Sequence, residues 1–259
     1  MVIEYIYSKI MAQAKILAVA NHKGGVGKTT TTATIGAILA SRGKSVLLVD
    51  MDAQANLTTG LTDHESQFTI YDAIKDGKFF NPVEVKDNLR LIPSSEEFAS
   101  IDLVLAGAME REYRLKDFLE PYAQNYDYIL IDCPPTLGIL LVNALVAADG
   151  LIIPTTAEAY PFKGLTMLTD SLIQVQRRMN PKVKLAAILI TRWSGRNLNK
   201  AVQAQLQAQF GDTLLPTVIR ENIKVAEAPL SRKTLIDYDA SSNGAADYEN
   251  AVNNLLSRI

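Results

Sequence analysis

The chain has 259 residues, of which 48% are hydrophobic and 21% charged, with a formal net charge of −2. These values are ordinary for a globular protein, and the length suits one large α/β domain. No apolar run reaches the ~18 residues of a membrane span, so we expect a cytoplasmic protein with no membrane partner. The single cysteine, Cys133, excludes a disulfide framework.

Strand and helix patterns alternate along the chain. Strands are predicted near residues 15–20, 45–50, 89–92, 127–132, 150–154, 184–191 and 214–219. Helices are predicted near residues 28–42, 98–123, 139–147, 163–179, 197–210 and 244–257. This alternation predicts a mostly parallel, twisted sheet flanked by helices on both faces. Residues 60–85 are the most irregular and are predicted to leave the sheet.

A glycine-rich loop at residues 21–30 follows the first predicted strand and opens the first predicted helix. Without side chains, the backbone of such a loop approaches a polyphosphate closely, and the helix N-terminus adds positive potential. Lys28 is predicted to meet the β/γ-phosphate oxygens, and Thr29 to offer its hydroxyl to Mg²⁺. The residues predicted to bind the nucleotide here are Lys23, Gly24, Gly25, Val26, Gly27, Lys28, Thr29 and Thr30.

Two features separate this loop from the usual pattern G-x-x-x-x-G-K-[ST]. His22 stands at the first glycine position, and a second lysine is present at Lys23. The run K-G-G-V-G-K-T-T resembles the deviant Walker A box of the ParA/MinD ATPases. In that family the lysine that matches Lys23 reaches the partner's phosphates across a nucleotide-sandwiched dimer. The resemblance therefore implies a P-loop ATPase domain over residues 12–259, preceded by an extension at residues 1–11, and an ATP-dependent homodimer.

The second predicted strand ends in D-M-D-A-Q-A-N at residues 50–56. This segment resembles the family's D-x-D-P-Q-x-N box, whose second aspartate orients or activates the attacking water. Asp52 takes that place and is a candidate catalytic residue and a possible Mg²⁺ ligand. Ala53 and Ala55 stand where the family has proline and glycine. For Asp50, capping of the next turn is an equal alternative to a catalytic role.

A further apolar strand ends in D-C-P-P at residues 132–135, which looks like the family's Walker B box. Asp132 would hold Mg²⁺ through water. Phosphoryl transfer needs positioning, a metal, a lysine clamp and an oriented water rather than covalent chemistry from the protein. The resemblance implies Mg²⁺-dependent ATP hydrolysis, slow alone and stimulated by a partner, with Lys23, Lys28 and Asp52 as the catalytic residues.

Charge is distributed unevenly along the chain. Residues 1–160 contain 13 Lys/Arg and 20 Asp/Glu, whereas residues 161–259 contain 13 and 8. Between Arg177 and Lys233 there are 11 basic and 3 acidic residues. Such an excess favours sequence-independent contact with a phosphate backbone, the alternative being a solvated face.

Residues 190–198 and 217–229 are similar to the late part of ParA/Soj partition ATPases, in which arginines at the positions of Arg196 and Lys224 bind DNA. The predicted DNA contacts are Arg192, Arg196, Lys200, Arg220 and Lys224. The family's adenine pocket lies near the positions of Thr191, Glu221 and Asn222. Arg220-Glu221-Asn222 replaces the family's P-R-N, and Lys163 before Gly164 replaces an acid.

This resemblance implies partition of chromosome or plasmid DNA on the nucleoid, with double-stranded DNA and a ParB-type centromere-binding protein as partners. ParA-like positioning of a protein cargo is an alternative. MinD-like placement of the division site on a membrane is another, but it needs a basic amphipathic C-terminal helix, and residues 245–259 contain only Arg258 as a basic residue. A metabolic P-loop enzyme of the dethiobiotin-synthase type is disfavoured by Lys23 and the basic excess.

Overall fold

A computed structural model describes residues 13–158 and 162–259, and the side chain of Lys163 lies outside that description. The predicted extension at residues 1–11 therefore falls outside the described residues. The replacement of an acid by Lys163 remains a sequence observation for the same reason.

The described residues form one sheet of eight strands in the order β3-β4-β2-β5-β1-β6-β7-β8. The strands are β1 Lys15–Val19, β2 Val46–Asp50, β3 Val83–Lys86, β4 Leu89–Ile92, β5 Tyr128–Asp132, β6 Gly150–Thr156, β7 Lys184–Trp193 and β8 Leu214–Arg220. All neighbours pair in parallel except β3, which is antiparallel to β4. The mostly parallel α/β sheet and its seven predicted strands are confirmed. The eighth strand, β3, corrects the prediction that residues 60–85 leave the sheet entirely.

Helices cover both faces of this sheet. They are α1 Lys28–Ser41, α2 Asn56–Leu61, α3 Ile70–Asp76, α4 Ile101–Leu105, α5 Arg114–Leu119, α6 Ile139–Ala147, α7 Phe162–Arg178, α8 Asn197–Phe210, α9 Ile223–Leu230, α10 Leu235–Asp239 and α11 Asn243–Leu256. Short 3₁₀ turns occupy Glu96–Ser100, Tyr122–Gln124 and Gly211–Thr213. The single helix predicted over residues 98–123 is wrong, because turns between α4 and α5 include Glu110 in a left-handed conformation (φ 54°).

Alternate residues of the central strands enter two separate hydrophobic cores. Leu17 and Leu48 pack with Ile38 of α1 on one face, whereas Ala18 and Leu47 lie in the core of the other face. This is the pattern of a sheet buried on both sides. The strand register then places Asp132 beside both Val19 and Asp50, so the ends of β1, β2 and β5 meet at one edge.

The last helix, α11, packs on the domain, as its sequence predicts. Tyr248 and Val252 are buried, and the Tyr248 hydroxyl lies 3.0 Å from the Thr31 hydroxyl of α1. Within residues 13–158 and 162–259, no helix combines the length and apolar character needed to cross a bilayer.

Candidate nucleotide site and basic edge

The glycine loop joins β1 to α1 at the carboxyl edge of the sheet. Gly25 and Gly27 have φ values of 72° and 83°, a conformation that strongly favours glycine. Gly27 is the N-cap of α1 and provides no side chain to cap the first-turn N–H groups. These donors are therefore available to an anionic ligand.

Polar side chains from neighbouring strands hold the loop in place. Asn21 donates a 2.7 Å hydrogen bond to the Pro154 carbonyl and accepts one from the Lys23 N–H at 3.0 Å. The Thr191 hydroxyl lies 2.9 Å from the Val26 carbonyl and 3.2 Å from that of Thr155. The loop is thus tied to β6 and β7 as well as to β1.

The two lysines of the loop have different surroundings. Lys28 is buried, and its Nζ lies 3.5 Å from the Lys23 carbonyl, so the ammonium group bridges its own loop. The Lys23 side chain is half-exposed, and its Nζ lies 2.5 Å from Glu158 just after β6. A hydrogen bond from Lys23 lowers the pKa of the Glu158 carboxyl below its usual value. Lys23 is therefore paired with Glu158, an acidic residue outside the glycine loop.

Asp50 organises the loop that follows β2. Its carboxylate accepts hydrogen bonds from the Thr58 N–H (2.9 Å), the Thr58 hydroxyl (2.7 Å) and the Asp52 N–H (3.1 Å). These bonds confirm the interpretation of Asp50 as a cap of the next turn. Burial raises the pKa of Asp50 to about 6, although the Thr58 hydrogen bonds oppose this shift.

Asp132 at the end of β5 is fully buried and incompletely partnered. Thr32 donates a long, 3.5 Å hydrogen bond to Oδ1, whereas Oδ2 has no partner among the described residues. Burial, followed by the charge of Asp50, raises the pKa of Asp132 well above its usual value. An unpaired buried carboxylate oxygen favours a nearby cation, so the donor set of Asp132 and Thr29 fits Mg²⁺.

The described residues include no cluster of three His, Cys, Asp or Glu side chains able to hold a metal ion. A magnesium ion at this site would take its other ligands from phosphates and water, which is its usual preference. The assignment of Thr29, Asp132 and Asp52 as Mg²⁺ ligands remains a prediction.

Asp52 lies in the loop between β2 and α2 and is partly exposed. Its Oδ1 accepts a 3.0 Å hydrogen bond from the Gln54 N–H, which fixes the orientation of the carboxylate. Ala55, three residues later, has a φ of 50° and caps α2. This is a strained conformation for alanine and explains why glycine suits the position.

An open cavity of about 480 Å³ lies between the glycine loop and the ends of β7 and β8. Its lining includes Gly25, Gly27, Thr30, Thr191, Glu221 and Asn222. Gly25, Gly27 and Thr30, predicted to bind phosphate, therefore line the same cavity as the three residues predicted near adenine. The Asn222 side chain also caps α9 by accepting a hydrogen bond from the Lys224 N–H. Sequence reasoning missed the apolar lining residues Ile219, Ile223 and Val225, which no motif marks.

The five predicted DNA contacts lie at or shortly after the carboxyl ends of β7 and β8, at the same edge of the sheet as the glycine loop; we call them the basic edge. Three of these residues have acidic partners. Arg220 forms a bidentate pair with Asp247 of α11, with its Nη2 2.8 Å and its Nε 2.9 Å from the two carboxylate oxygens. Lys224 lies 3.0 Å from Glu227, and Arg192 lies 3.6 Å from Glu221.

The other two residues of the basic edge are at the start of α8. Arg196 is the N-cap of this helix, and Lys200 lies in its first turn. Neither has an acidic partner within 4.0 Å in the part of the chain that the structure describes. Their charges are therefore the most available of the five, while the DNA assignment of all five stays a prediction.

Comparisons with known proteins agree with this geometry. A family profile described as "AAA domain" matches residues 14–185. The chain is 41% identical over 240 residues to the sporulation initiation inhibitor protein Soj of Bacillus subtilis, covering 90% of this chain and 95% of Soj. It is 37% identical over 252 residues to the chromosome partitioning protein ParA of Caulobacter vibrioides, covering 94% of each.

Solved structures show the same fold. A putative plasmid partition protein from Borrelia burgdorferi, bound to AMPPNP, has a TM-score of 0.82 at 28% identity and covers 95% of this chain and 100% of its own. Apo McdA from Cyanothece has a TM-score of 0.83 at 25% identity, with coverage of 94% and 99%. Cobyrinic acid a,c-diamide synthase from Mycobacterium smegmatis, with ADP and magnesium, has a TM-score of 0.78 at 31% identity and covers 94% of each chain. With these relatives, this P-loop domain belongs to the ParA/Soj family.

Proposed function

We propose that the protein is an ATPase that forms an ATP-sandwiched homodimer, binds DNA without sequence specificity and partitions chromosome or plasmid DNA with a ParB-type protein. The observation that carries this proposal is the placement of the basic edge beside the glycine loop, at one end of the sheet. Dimers formed through the loop then present two basic edges together. Relatives named for chromosome partitioning add support.

In the nucleotide step, the uncapped N–H groups of α1 and the Lys28 ammonium group bind the β- and γ-phosphates of ATP. Thr29, and Asp132 through water, would hold Mg²⁺, which would supply positive charge that neutralises the phosphates. Asp52 orients the attacking water. Its hydrogen bond from the Gln54 N–H leaves the second carboxylate oxygen for that task.

In the dimerisation step, Lys23 exchanges Glu158 for the phosphates of the nucleotide bound by the partner copy. The pair with Glu158 is half-exposed, and such pairs contribute little free energy, so the exchange is readily reversible. Hydrolysis removes the γ-phosphate and returns Lys23 to Glu158.

In the DNA step, the affinity of the dimer exceeds that of one copy because two basic edges bind one duplex. Each phosphate neutralised releases counterions, which makes binding dependent on salt. A ParB-type protein, bound to its centromere-like sequence, accelerates hydrolysis and so releases the dimer from DNA.

The test is a DNA titration at several salt concentrations, with dimerisation measured in parallel by light scattering. Wild-type binding should require ATP, be independent of sequence, and weaken as salt rises. A double variant, Arg196→Glu with Lys224→Glu, should lose DNA binding yet still dimerise, because neither residue lies in the glycine loop. Each lost phosphate contact should lower the log–log salt slope by about one unit.

The matched control is Arg177→Glu with Arg178→Glu, which reverses two charges at the end of α7. These residues precede β7 and therefore lie at the opposite edge of the sheet. Equal loss of DNA affinity in both double variants would contradict a specific role of the basic edge. Binding to anionic vesicles, or stimulation of turnover by a small metabolite instead of DNA, would favour the membrane or metabolic alternative.

A further inference from the structure

A segment between β4 and α5, residues 96–112, forms a surface that we call the acidic shelf. Its inner side is well anchored, since Phe98, Ile101 and Leu105 are buried in the main core. Backbone hydrogen bonds within its turns, such as Tyr113 N–H to the Glu110 carbonyl at 2.9 Å, order the remainder. The shelf therefore presents a defined outer surface.

Large apolar side chains project from that outer surface. Leu103 is 84% exposed and Met109 is 86% exposed, and Val104 beside them is 39% exposed. Isolated exposed hydrophobic residues are common, but these three lie within seven residues of chain on one anchored segment, and exposed apolar groups of this kind occur at interaction surfaces.

The charges around this group indicate what covers it. Residues 96–112 contain five acidic residues and one basic residue. The basic residue, Arg111, is already paired with Glu112 at 3.2 Å. A second copy that met this surface through its own shelf would bring like charges together, and DNA would also be repelled. The complementary occupant is a helix with leucine-like residues on one face and lysine or arginine beside them.

A buried asparagine connects the shelf to the nucleotide site. Asn143 of α6 donates a 2.9 Å hydrogen bond to the Arg111 carbonyl and accepts one from the Leu115 N–H at 3.1 Å. The helix α6 begins directly after residues 133–138, the loop that leads away from Asp132. The helix α6 therefore contacts the shelf through Asn143 and is joined at its first residue to this loop.

We propose that the acidic shelf is the docking surface for a basic amphipathic helix of the activating partner, and that docking there alters ATP turnover through Asn143 and residues 133–138. This inference rests on the proposed function, because it assigns a contact to the partner that stimulates hydrolysis. Leu103 and Met109 supply the apolar contacts. Glu96, Glu97, Asp102 and Glu110, all exposed, surround them with negative charge.

The probe is a fluorescent synthetic peptide of about 20 residues, with leucine on one helical face and lysine on the other. Its binding to the full chain is measured by anisotropy without DNA or nucleotide. Leu103→Ser with Met109→Ser should weaken binding about tenfold or more, since both side chains are central apolar anchors. The control, Met167→Ser with Ile173→Ser, changes two side chains of α7 that are each 42% exposed and should leave affinity unchanged. Equal affinity of the shelf variant and this control would overturn the proposal.

Two further measurements test the charge and the connection. Glu96→Gln with Glu97→Gln should weaken binding and reduce its salt dependence, and an unchanged salt dependence would overturn the charge argument.

A saturating peptide should change wild-type ATP turnover about twofold or more, whereas a scrambled peptide of the same composition should not. Unchanged turnover with bound peptide would overturn the connection through Asn143. The DNA titration described above is independent of the peptide, so failure of the proposed function is seen separately.

Discussion

The nucleotide site and the basic edge lie at the same end of the sheet but are built differently. In the candidate nucleotide site Lys28 and Asp132 are buried, and the loops around them are held by hydrogen bonds from backbone N–H groups to the Asn21 and Asp50 side chains. In the basic edge the charged groups are largely exposed, and three of the five form ion pairs with acidic residues. The first region has its geometry set before a ligand arrives, whereas in the proposed DNA complex the second exchanges acidic partners for phosphates.

This difference separates two ways of recognising phosphate. Buried donors of fixed orientation recognise one polyphosphate strongly, because water does not compete with them. Exposed cations recognise any phosphate backbone, and their affinity grows with the number of contacts. Lys23 belongs to the nucleotide site by sequence but resembles the basic edge in its exposure and in its pairing with Glu158.

The largest effect expected is a difference between variants of the two lysines of the glycine loop. Lys28→Ala should abolish ATP binding, because the ammonium group bridging the phosphate cradle is removed. Lys23→Ala should keep ATP binding by the monomer and lose the ATP-dependent dimer. Titration with a fluorescent ATP analogue measures the first effect, and light scattering with a slowly hydrolysed analogue measures the second. A Lys23→Ala protein that dimerises like the wild type would remove the distinction between the lysines.

The next effect concerns Asp52, the residue that we propose orients water. Asp52→Ala should reduce ATP turnover about 100-fold or more while leaving the phosphate cradle intact, so the ATP-bound dimer should persist on DNA. The control is Asp63→Ala, which removes an exposed acid paired with Arg232 at 3.1 Å, beyond the end of α2. Turnover at the wild-type rate in the Asp52 variant would refute the assigned role.

A smaller effect distinguishes members of the basic edge. Arg220 donates hydrogen bonds to both carboxylate oxygens of Asp247. Arg220→Ala should therefore lower the unfolding temperature clearly and DNA affinity only slightly. Arg196→Ala should do the reverse, with a decrease of about one unit in the salt slope of DNA binding. Thermal unfolding and DNA titration of both variants check this pair of expectations. A stability loss shared equally by the two variants would argue against it.

The smallest effect concerns backbone strain beside Asp52. Ala55→Gly should raise the free energy of unfolding by about 0.5–1 kcal/mol, because relief of the left-handed conformation exceeds the added entropy of the unfolded chain. Ala53→Gly, a change in the same loop at a position with no positive φ, should lower it instead. Urea unfolding of both variants measures the difference. Destabilisation by both changes would show that the φ of 50° at Ala55 is not costly.

Sequence reasoning predicted the features that depend on local pattern. The seven parallel strands are short runs rich in apolar residues, and the glycine loop needs only residues that are adjacent in the chain. The strand β3 was missed because Val83–Lys86 is only four residues long and lies in an irregular segment. The helix predicted over residues 98–123 failed because apolar spacing continues through turns that Glu110 and its neighbours impose.

For the site, the motifs predicted Gly25, Gly27, Thr30, Thr191, Glu221 and Asn222, which line one cavity, but not its apolar lining residues. The pairing of Arg220 with Asp247 was not predicted, since the two residues come from different elements that meet only in the folded chain. The same holds for the contact between Lys23 and Glu158, which are 135 residues apart. Interactions of this kind depend on tertiary packing and leave no local signal.

The position of β1 in the middle of the sheet has a consequence for synthesis of the protein on the ribosome. This strand emerges early, but its two neighbours, β5 and β6, end only at Asp132 and Thr156. A nascent chain that stops before residue 154 lacks the Pro154 carbonyl that anchors Asn21 beside the glycine loop. Such a chain cannot assemble the cradle, and the apolar β1 strand stays uncovered, a state in which chaperones and competing strands have access to it.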